Sequence, residues 1–246
     1  MNKKIKITLI TLTFIFSAFY FKRILLALME FTAIKFNYNY GLAIILVTLG
    51  IKLIMLIASF EFEISNKKRQ ILQPKFNVYF NQLKSNKDNN EVKDDIKQKI
   101  KDLESKYGIN SFQGVGCLTL IIQLVIIICW YQVIRESTHI QQNKFLWIKL
   151  GGPDELLIFP VLIFITLLLN YYLNGVMNTR VKTLIYISLS IMIFIISLNL
   201  IGGVLLYLLT NILVTLIKDI SLQIYCKKLI KNLDDSQVNI SKIRKV

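Results

Sequence analysis

The chain has 246 residues, 54% of them hydrophobic, and a formal net charge of +15. This composition is typical of a membrane protein and leaves no sizeable soluble core to bury. Its three cysteines have neither a CxxC nor a metal-ligand spacing, so a disulfide framework and a zinc site are not indicated. The sequence shows no internal repeat, which disfavours a transporter built from repeats.

Residues 1–22 combine a basic start with an apolar stretch, which is the pattern of a signal peptide or a signal anchor. The sequence leaves both alternatives open. Residues 23–38 should then lie outside the cytoplasm. Their apolar positions predict a short amphipathic helix along the membrane surface: Ile24, Leu25, Leu28, Phe31 and Ala33.

Five further apolar runs predict transmembrane helices, because a helix needs about 20 apolar residues to cross about 30 Å of hydrocarbon. They cover residues 40–60, 112–134, 156–172, 183–199 and 203–223. We therefore expect an all-α, polytopic membrane protein with a five-helix transmembrane core.

The basic residues indicate how these helices are oriented. Lysine and arginine concentrate between residues 65 and 106, in the short loop at 178–183 and in the tail at 226–246. The positive-inside rule places these three segments in the cytoplasm, and the assignment alternates consistently through all five crossings. Such a basic face attracts anionic lipids first and ribosomal RNA second. We expect no DNA partner.

Residues 62–108, between the first two crossings, are predicted to form a cytoplasmic helical hairpin. Two apolar stripes at helical spacing flank the polar turn at 85–90: Leu72, Phe76, Tyr79, Phe80 and Leu83, then Val92, Ile96, Ile100, Leu103 and Tyr107. A solvated linker is the alternative, but linkers do not usually carry matched apolar stripes. Pro74 should kink or restart the first arm, and Gly108 is a plausible stop for the second.

Three polar side chains occur at similar depth in three different crossings. Counted at 1.5 Å per residue from the cytoplasmic ends, Lys52 lies about 12 Å deep, Gln123 about 16 Å and Asn211 about 18 Å. Lys52 alone could snorkel to the headgroups, and each amide alone could join neighbouring helices. An intramembrane charge usually faces a bundle interior or a watery cavity. Together the three predict a hydrated pocket open to the cytoplasm.

Several strings, in order, resemble the YidC/Oxa1/Alb3 membrane-protein insertases, particularly the five-helix form of Gram-positive bacteria. They are NYGLAIILVTLGIKLIML, LQPK, KYGINSFQGVGCLTLIIQ, FLWIKLGGPDELLIFPVL and GGVLLYLLTN, within residues 39–225. The resemblance places Lys52 at the family's groove arginine and Gln123 at a groove-lining glutamine. It implies a bacterial plasma-membrane protein with a hydrophilic groove and no cofactor, metal or catalytic residues.

The function expected from this resemblance is insertion and folding of nascent membrane proteins without nucleotide hydrolysis. The ribosome, the Sec translocon and anionic lipids are the further partners to consider. A small-solute transporter or channel is the alternative, because it would also place polar side chains at mid-depth. An intramembrane protease is less favoured, since the single histidine, His139, falls in an exterior loop and no GxSxG is present.

Overall fold

A computed structural model describes residues 20–85, 90–109, 115–174 and 180–243, and it is almost entirely helical. Helix α1 covers residues 20–35. The later elements are α2 (Tyr40–Ile71), α3 (Gln73–Ser85), α4 (Asn90–Lys106), α5 (Val115–Glu136), α6 (Thr138–Gln142), β1 (Lys144–Phe145), β2 (Ile148–Lys149), α7 (Ile158–Leu173), α8 (Arg180–Ser197) and α9 (Gly202–Ile243). The predicted all-α class is confirmed, and the two antiparallel strands of two residues each do not change it.

Two helices among the described residues are long and apolar enough to cross a membrane, Tyr40–Ile71 and Gly202–Leu233. Two shorter apolar helices occur at Ile158–Leu173 and Thr183–Ser197. Helices α2 and α9 both continue well beyond the ends of the apolar runs at residues 60 and 223. The reason is that hydropathy marks where lipid contact should end, whereas a helix continues until a residue breaks its hydrogen bonding.

The chain divides into two compact units. The first contains the described residues up to Met55 together with Gly116–Leu216, and the second contains those within Leu56–Val115 and Ile217–Val246. In the first unit the buried core is formed by side chains of α1, α2, α5, α7 and α9, including Met29, Ile44, Trp130, Ile163 and Leu205.

Helix α1 buries one face, at Leu25, Met29 and Ala33. The other face is also apolar and is exposed: Ile24, Leu28, Phe31 and Ile34. One apolar face of α1 thus packs on the protein, and another remains outside it.

The segment between α5 and α7 is ordered by hydrogen bonds rather than being an open loop. The Asp154 carboxylate accepts from the Phe159 backbone N–H at 2.8 Å, the Leu156 N–H at 3.3 Å and the Trp147 indole N–H at 3.2 Å. These bonds hold the chain at the start of α7, where Leu157 has a positive φ of 56°. Through Phe159, Asp154 therefore satisfies one of the donors that the first turn of a helix leaves without an intrahelical partner.

The same segment also caps the start of α9. The Gly202 and Gly203 N–H groups donate to the carbonyl oxygens of Gly152 and Leu150, at 2.6 and 2.9 Å. A Cβ at Gly202 would lie 2.5 Å from the carbonyl oxygen of Lys149, so only glycine fits here without displacement. The close approach fixes the start of α9 against the loop.

The second unit contains the helical pair α3 and α4, which pack against each other. Leu72, Phe76 and Tyr107 are buried here with Ile230 of α9. Phe80, expected on the same buried face, is instead 39% exposed. A local break at Leu72 separates α2 from α3. Pro74 therefore falls in the first turn of α3, where a proline is tolerated.

Polar contacts add to this packing in the second unit. The Lys68 ammonium donates to the Tyr107 carbonyl at 2.8 Å, and Gly108 has a φ of 58°, so α4 ends in a left-handed glycine beside a cation. The Lys218 ammonium lies 2.9 Å from a Glu63 carboxylate oxygen and 3.5 Å from one of Asp219.

Several expectations concern residues outside those described. They are the signal segment up to residue 19, most of the polar turn at 85–90, the first residues of the crossing predicted at 112–134, part of the basic loop at 178–183 and the last three residues of the tail.

Candidate functional site

Helices α2, α5 and α9 bring the three sequence-predicted polar residues together in one pocket of the first unit. Helix α2 contributes Lys52, α5 contributes Gln123 and α9 contributes Asn211. The remaining lining side chains come from the same three helices: Thr48, Ile51, Met55, Ile126, Trp130 and Tyr207. The three polar side chains thus meet inside a wall that is mostly apolar.

Lys52 is partly buried, and its ammonium contacts α9. Its Nζ lies 3.5 Å from the Thr215 hydroxyl oxygen, which is long for a hydrogen bond. The Thr215 hydroxyl donates in turn to the Asn211 carbonyl oxygen at 2.8 Å.

Asn211 carries the most unusual polar atom of the pocket. The residue is 3% exposed, and its side-chain oxygen has no hydrogen-bond partner among the described residues. A buried polar atom without a partner costs about 1–3 kcal/mol, so native proteins rarely retain one without a reason. The oxygen is therefore a free acceptor inside the pocket, suited to a water molecule or to the N–H of a bound peptide.

Trp130 and Tyr207 were missed by the sequence reasoning. Their rings stack with centroids 5.2 Å apart, and the Trp130 indole N–H also lacks a partner among the described residues. Helical periodicity could have identified them, since Trp130 lies seven residues after Gln123 and Tyr207 lies four before Asn211. The pocket thus offers an unpaired donor as well as an unpaired acceptor.

Thr48, in the pocket lining, and Thr210, next to Asn211, add little further polarity. The hydroxyls of Thr48 and Thr210 donate to carbonyl oxygens one turn earlier in their own helices, at 2.6 and 2.8 Å. A hydroxyl bonded in this way has less capacity for a ligand.

The pocket is narrow. Its cavity volume is about 10 Å³. That is room for about one water. A peptide segment would fit only if the lining side chains or helices separated. No cluster of three or more histidine, cysteine or acidic side chains that could hold a metal occurs in the described ranges.

Comparison with known proteins identifies relatives along most of the chain. The sequence model of the 60Kd inner membrane protein family matches residues 31–230. The chain is 35% identical over 127 residues to the protein named Membrane protein insertase YidC of Oceanobacillus iheyensis, a match that covers 52% of this chain and 48% of that one. A protein of the same name from Alkalihalophilus pseudofirmus is 34% identical, over 61% of this chain and 60% of its own length.

The chain therefore spans about half to three fifths of these two relatives. The Fusobacterium nucleatum protein, also named Membrane protein insertase YidC, is matched more fully: it is 30% identical over 194 residues, 78% of this chain and 90% of that one.

A solved structure, described as an active YidC insertase with the first transmembrane domain resolved, has a similar fold. Its TM-score is 0.56 at 23% identity, over 80% of this chain and 45% of the other. The family match covers more than half of the chain, and the resemblance carried by the motifs is confirmed. The chain belongs to the 60Kd inner membrane protein family.

Proposed function

We propose that this protein inserts nascent membrane proteins into the bacterial plasma membrane and helps them to fold. The observation that carries the proposal is the pocket of Lys52, Gln123 and Asn211, a charge and two amides held among apolar helices. Relatives named as membrane protein insertases support the same function.

The proposed topology has five crossings, at residues 40–60, 112–134, 156–172, 183–199 and 203–223. The hairpin at 62–108 and the basic tail at 226–246 then face the cytoplasm, as the distribution of lysine and arginine favours. In this orientation the pocket lies in the inner half of the bilayer and opens toward the cytoplasm.

The pocket lowers the cost of moving polar peptide into the membrane. A hydrophilic segment loses its hydration when it enters hydrocarbon, and each unpaired polar group then costs several kcal/mol. Inside the pocket, the Asn211 side-chain oxygen accepts from a backbone N–H of the client, and the Gln123 amide offers both a donor and an acceptor. Lys52 attracts acidic side chains of the same segment.

The client's apolar stretch then leaves sideways into lipid, where burial of each methylene contributes about 0.8 kcal/mol. This step needs no nucleotide, and the sequence contains no GxxxxGK[ST] phosphate-binding loop. We assign the hairpin to receiving the client. The ribosome and the Sec translocon are the candidate partners on the cytoplasmic side, and the basic residues of the tail favour contact with anionic lipid.

A channel or transporter for small solutes is the competing function. It would use the same mid-depth polar groups, but it has no need of a long cytoplasmic hairpin. Solute uptake by the purified protein in liposomes, without any nascent chain, would favour this alternative.

The first test replaces Lys52 in a strain depleted of its own insertase. Lys52→Ala should reduce insertion of single-span clients with acidic translocated ends, because their carboxylates lose an attracting charge. Lys52→Arg should retain activity, since the charge is kept. Insertion is measured by protease protection of the translocated end.

The matched control is a client whose acidic residues are replaced by their amides. Its insertion should respond much less to Lys52→Ala. Equal insertion of both clients by wild type and Lys52→Ala would contradict the charge-attraction step.

A further inference from the structure

A stripe of four amide side chains runs along one face of the second unit. Asn66 and Gln70 lie near the end of α2, and Gln73 and Asn77 lie on α3. The spacing of four, three and four residues keeps them on one helical face. Helical hydrogen bonds cross the break at Leu72, from its N–H to Lys68 O at 2.9 Å and from Phe76 N–H to Leu72 O at 3.2 Å, so the face continues.

All four amides are exposed and line an open pocket of about 360 Å³. Arg69, Phe76 and Phe80 complete its lining. Within the described part of the chain, none of the four side chains hydrogen-bonds to protein, whereas the Gln98 amide on α4 donates to the Asp102 carboxylate at 3.0 Å. The stripe thus presents a row of donors and acceptors available to a partner.

The chemistry of the stripe fits an extended polypeptide backbone. Each amide side chain offers an N–H donor and a carbonyl acceptor, the same pair of groups that a peptide unit needs. Side chains three or four positions apart on a helix lie about 5–6 Å from one another. An extended peptide repeats its groups on one side about every 6.6–6.8 Å, which is close enough for successive contacts.

The charges of the pocket disfavour other partners. Arg69 is the one cation among the described lining residues, and its guanidinium already lies 3.3 Å from Glu104 Oε1. Nucleic acid needs several cations that neutralise phosphates, which this lining lacks. Lipid needs a broad apolar face, but Phe76 is buried and Phe80 alone among the lining aromatics is exposed. A neutral, polar row instead complements an uncharged backbone.

We propose that the stripe Asn66, Gln70, Gln73 and Asn77 binds the extended, polar segment of a client protein through its backbone, with little dependence on the client's sequence. This inference rests on the proposed insertase function and names the part of the client recognised on the second unit.

The test uses the full-length protein in liposomes and a stalled ribosome-bound client with a Gly/Ser/Thr-rich segment ahead of its apolar stretch. A photocrosslinking residue at position 77 replaces one amide of the stripe and reports on client binding by the other three. One at position 52 reports on the pocket. The double variant Gln70→Leu/Gln73→Leu nearly keeps the shape of the two side chains but removes their hydrogen bonding. Crosslinking from position 77 should therefore fall about fivefold or more. Gln98→Leu, an exposed amide outside the stripe, is the control and should change nothing.

A second client carries proline at alternate positions of the polar segment, which removes backbone donors. Its crosslinking from position 77 should also fall. The inference is overturned if position 77 crosslinks to no client, or if it crosslinks instead to RNA or to this chain's own tail. It is also overturned if the crosslinking yield to the client is the same in the double variant and in Gln98→Leu. If insertion and crosslinking from position 52 persist in that case, the insertase function stands. If they are absent too, both proposals fail.

Discussion

Asn211 and Asp154 are equally buried, with 3% of each residue exposed, yet the hydrogen bonding of their side-chain oxygens differs. Asp154 accepts three hydrogen bonds and holds the loop before α7. The Asn211 side-chain oxygen has no partner in the described part of the chain. A satisfied buried group stabilises a fold, whereas an unsatisfied one costs stability and points to a ligand. Within the first unit, the loop is therefore scaffold and the pocket is the candidate for function.

The largest effect on stability should come from Asp154→Ala. It leaves the Phe159 and Leu156 N–H groups and the Trp147 indole without their acceptor, so we expect a loss of about 3 kcal/mol. Thermal unfolding of the detergent-solubilised protein measures this as a lower Tm. Glu155→Ala is the control, because Glu155 is exposed. Equal Tm values for the two variants would show that the cap contributes no stability.

An intermediate effect, of opposite sign, is expected for Asn211→Leu. Removing an unsatisfied carbonyl should leave the protein as stable as wild type or about 1 kcal/mol more stable. Insertion should nevertheless fall, because the pocket loses its free acceptor. Thermal unfolding and protease protection measure the two quantities on the same preparation.

Asn170→Leu provides the comparison for that prediction. Asn170 is a buried amide of α7 whose side-chain oxygen accepts from the Asn174 side chain. Its replacement should lower stability and leave insertion by the folded protein unchanged. If Asn211→Leu loses as much stability as Asn170→Leu, the contrast between a free and a satisfied amide is wrong.

The smallest effect concerns Lys67, a buried cation outside the proposed crossings. Burial lowers the pKa of Lys67 below its ordinary value of 10.5, although Asp219 partly opposes the shift. The unfolded chain therefore keeps this proton to a higher pH than the folded chain does. As the pH rises from the folded pKa toward 10.5, Lys67 makes the free energy of unfolding increase. Lys67→Met should flatten this part of the curve. Unchanged pH dependence in thermal unfolding would contradict the assignment.

The sequence predicted the all-α class and the polar residues that meet in the pocket, for a physical reason. Lys52, Gln123 and Asn211 stand out because a polar side chain is costly within an apolar run, and counting at 1.5 Å per residue gives their depth. Trp130 and Tyr207 could also have been found, since they share helical faces with Gln123 and Asn211.

Other features could not be predicted from the local spacing of residues in the sequence. Asp154 depends on a loop geometry that brings Trp147 and the start of α7 to one carboxylate, with Leu157 at a positive φ. The helix ends at Ile71 and Ile243 lie well past the apolar runs, because polar residues continue a helix as well as apolar ones do. The exposure of Phe80 likewise depends on how α3 packs, which its spacing alone does not fix.

The central claim is that water reaches Lys52, Gln123 and Asn211 from the cytoplasm, and thiol accessibility tests it most directly. After replacement of the native cysteines, single cysteines are placed at positions 52, 123 and 211, and at the exposed apolar positions Leu53, Leu124 and Leu213 as matched controls. A membrane-impermeant thiol reagent is applied from the cytoplasmic side of intact membranes. We expect faster labelling at the three pocket positions than at the controls, which should face lipid. Pocket cysteines that react no faster than their neighbours would contradict the account.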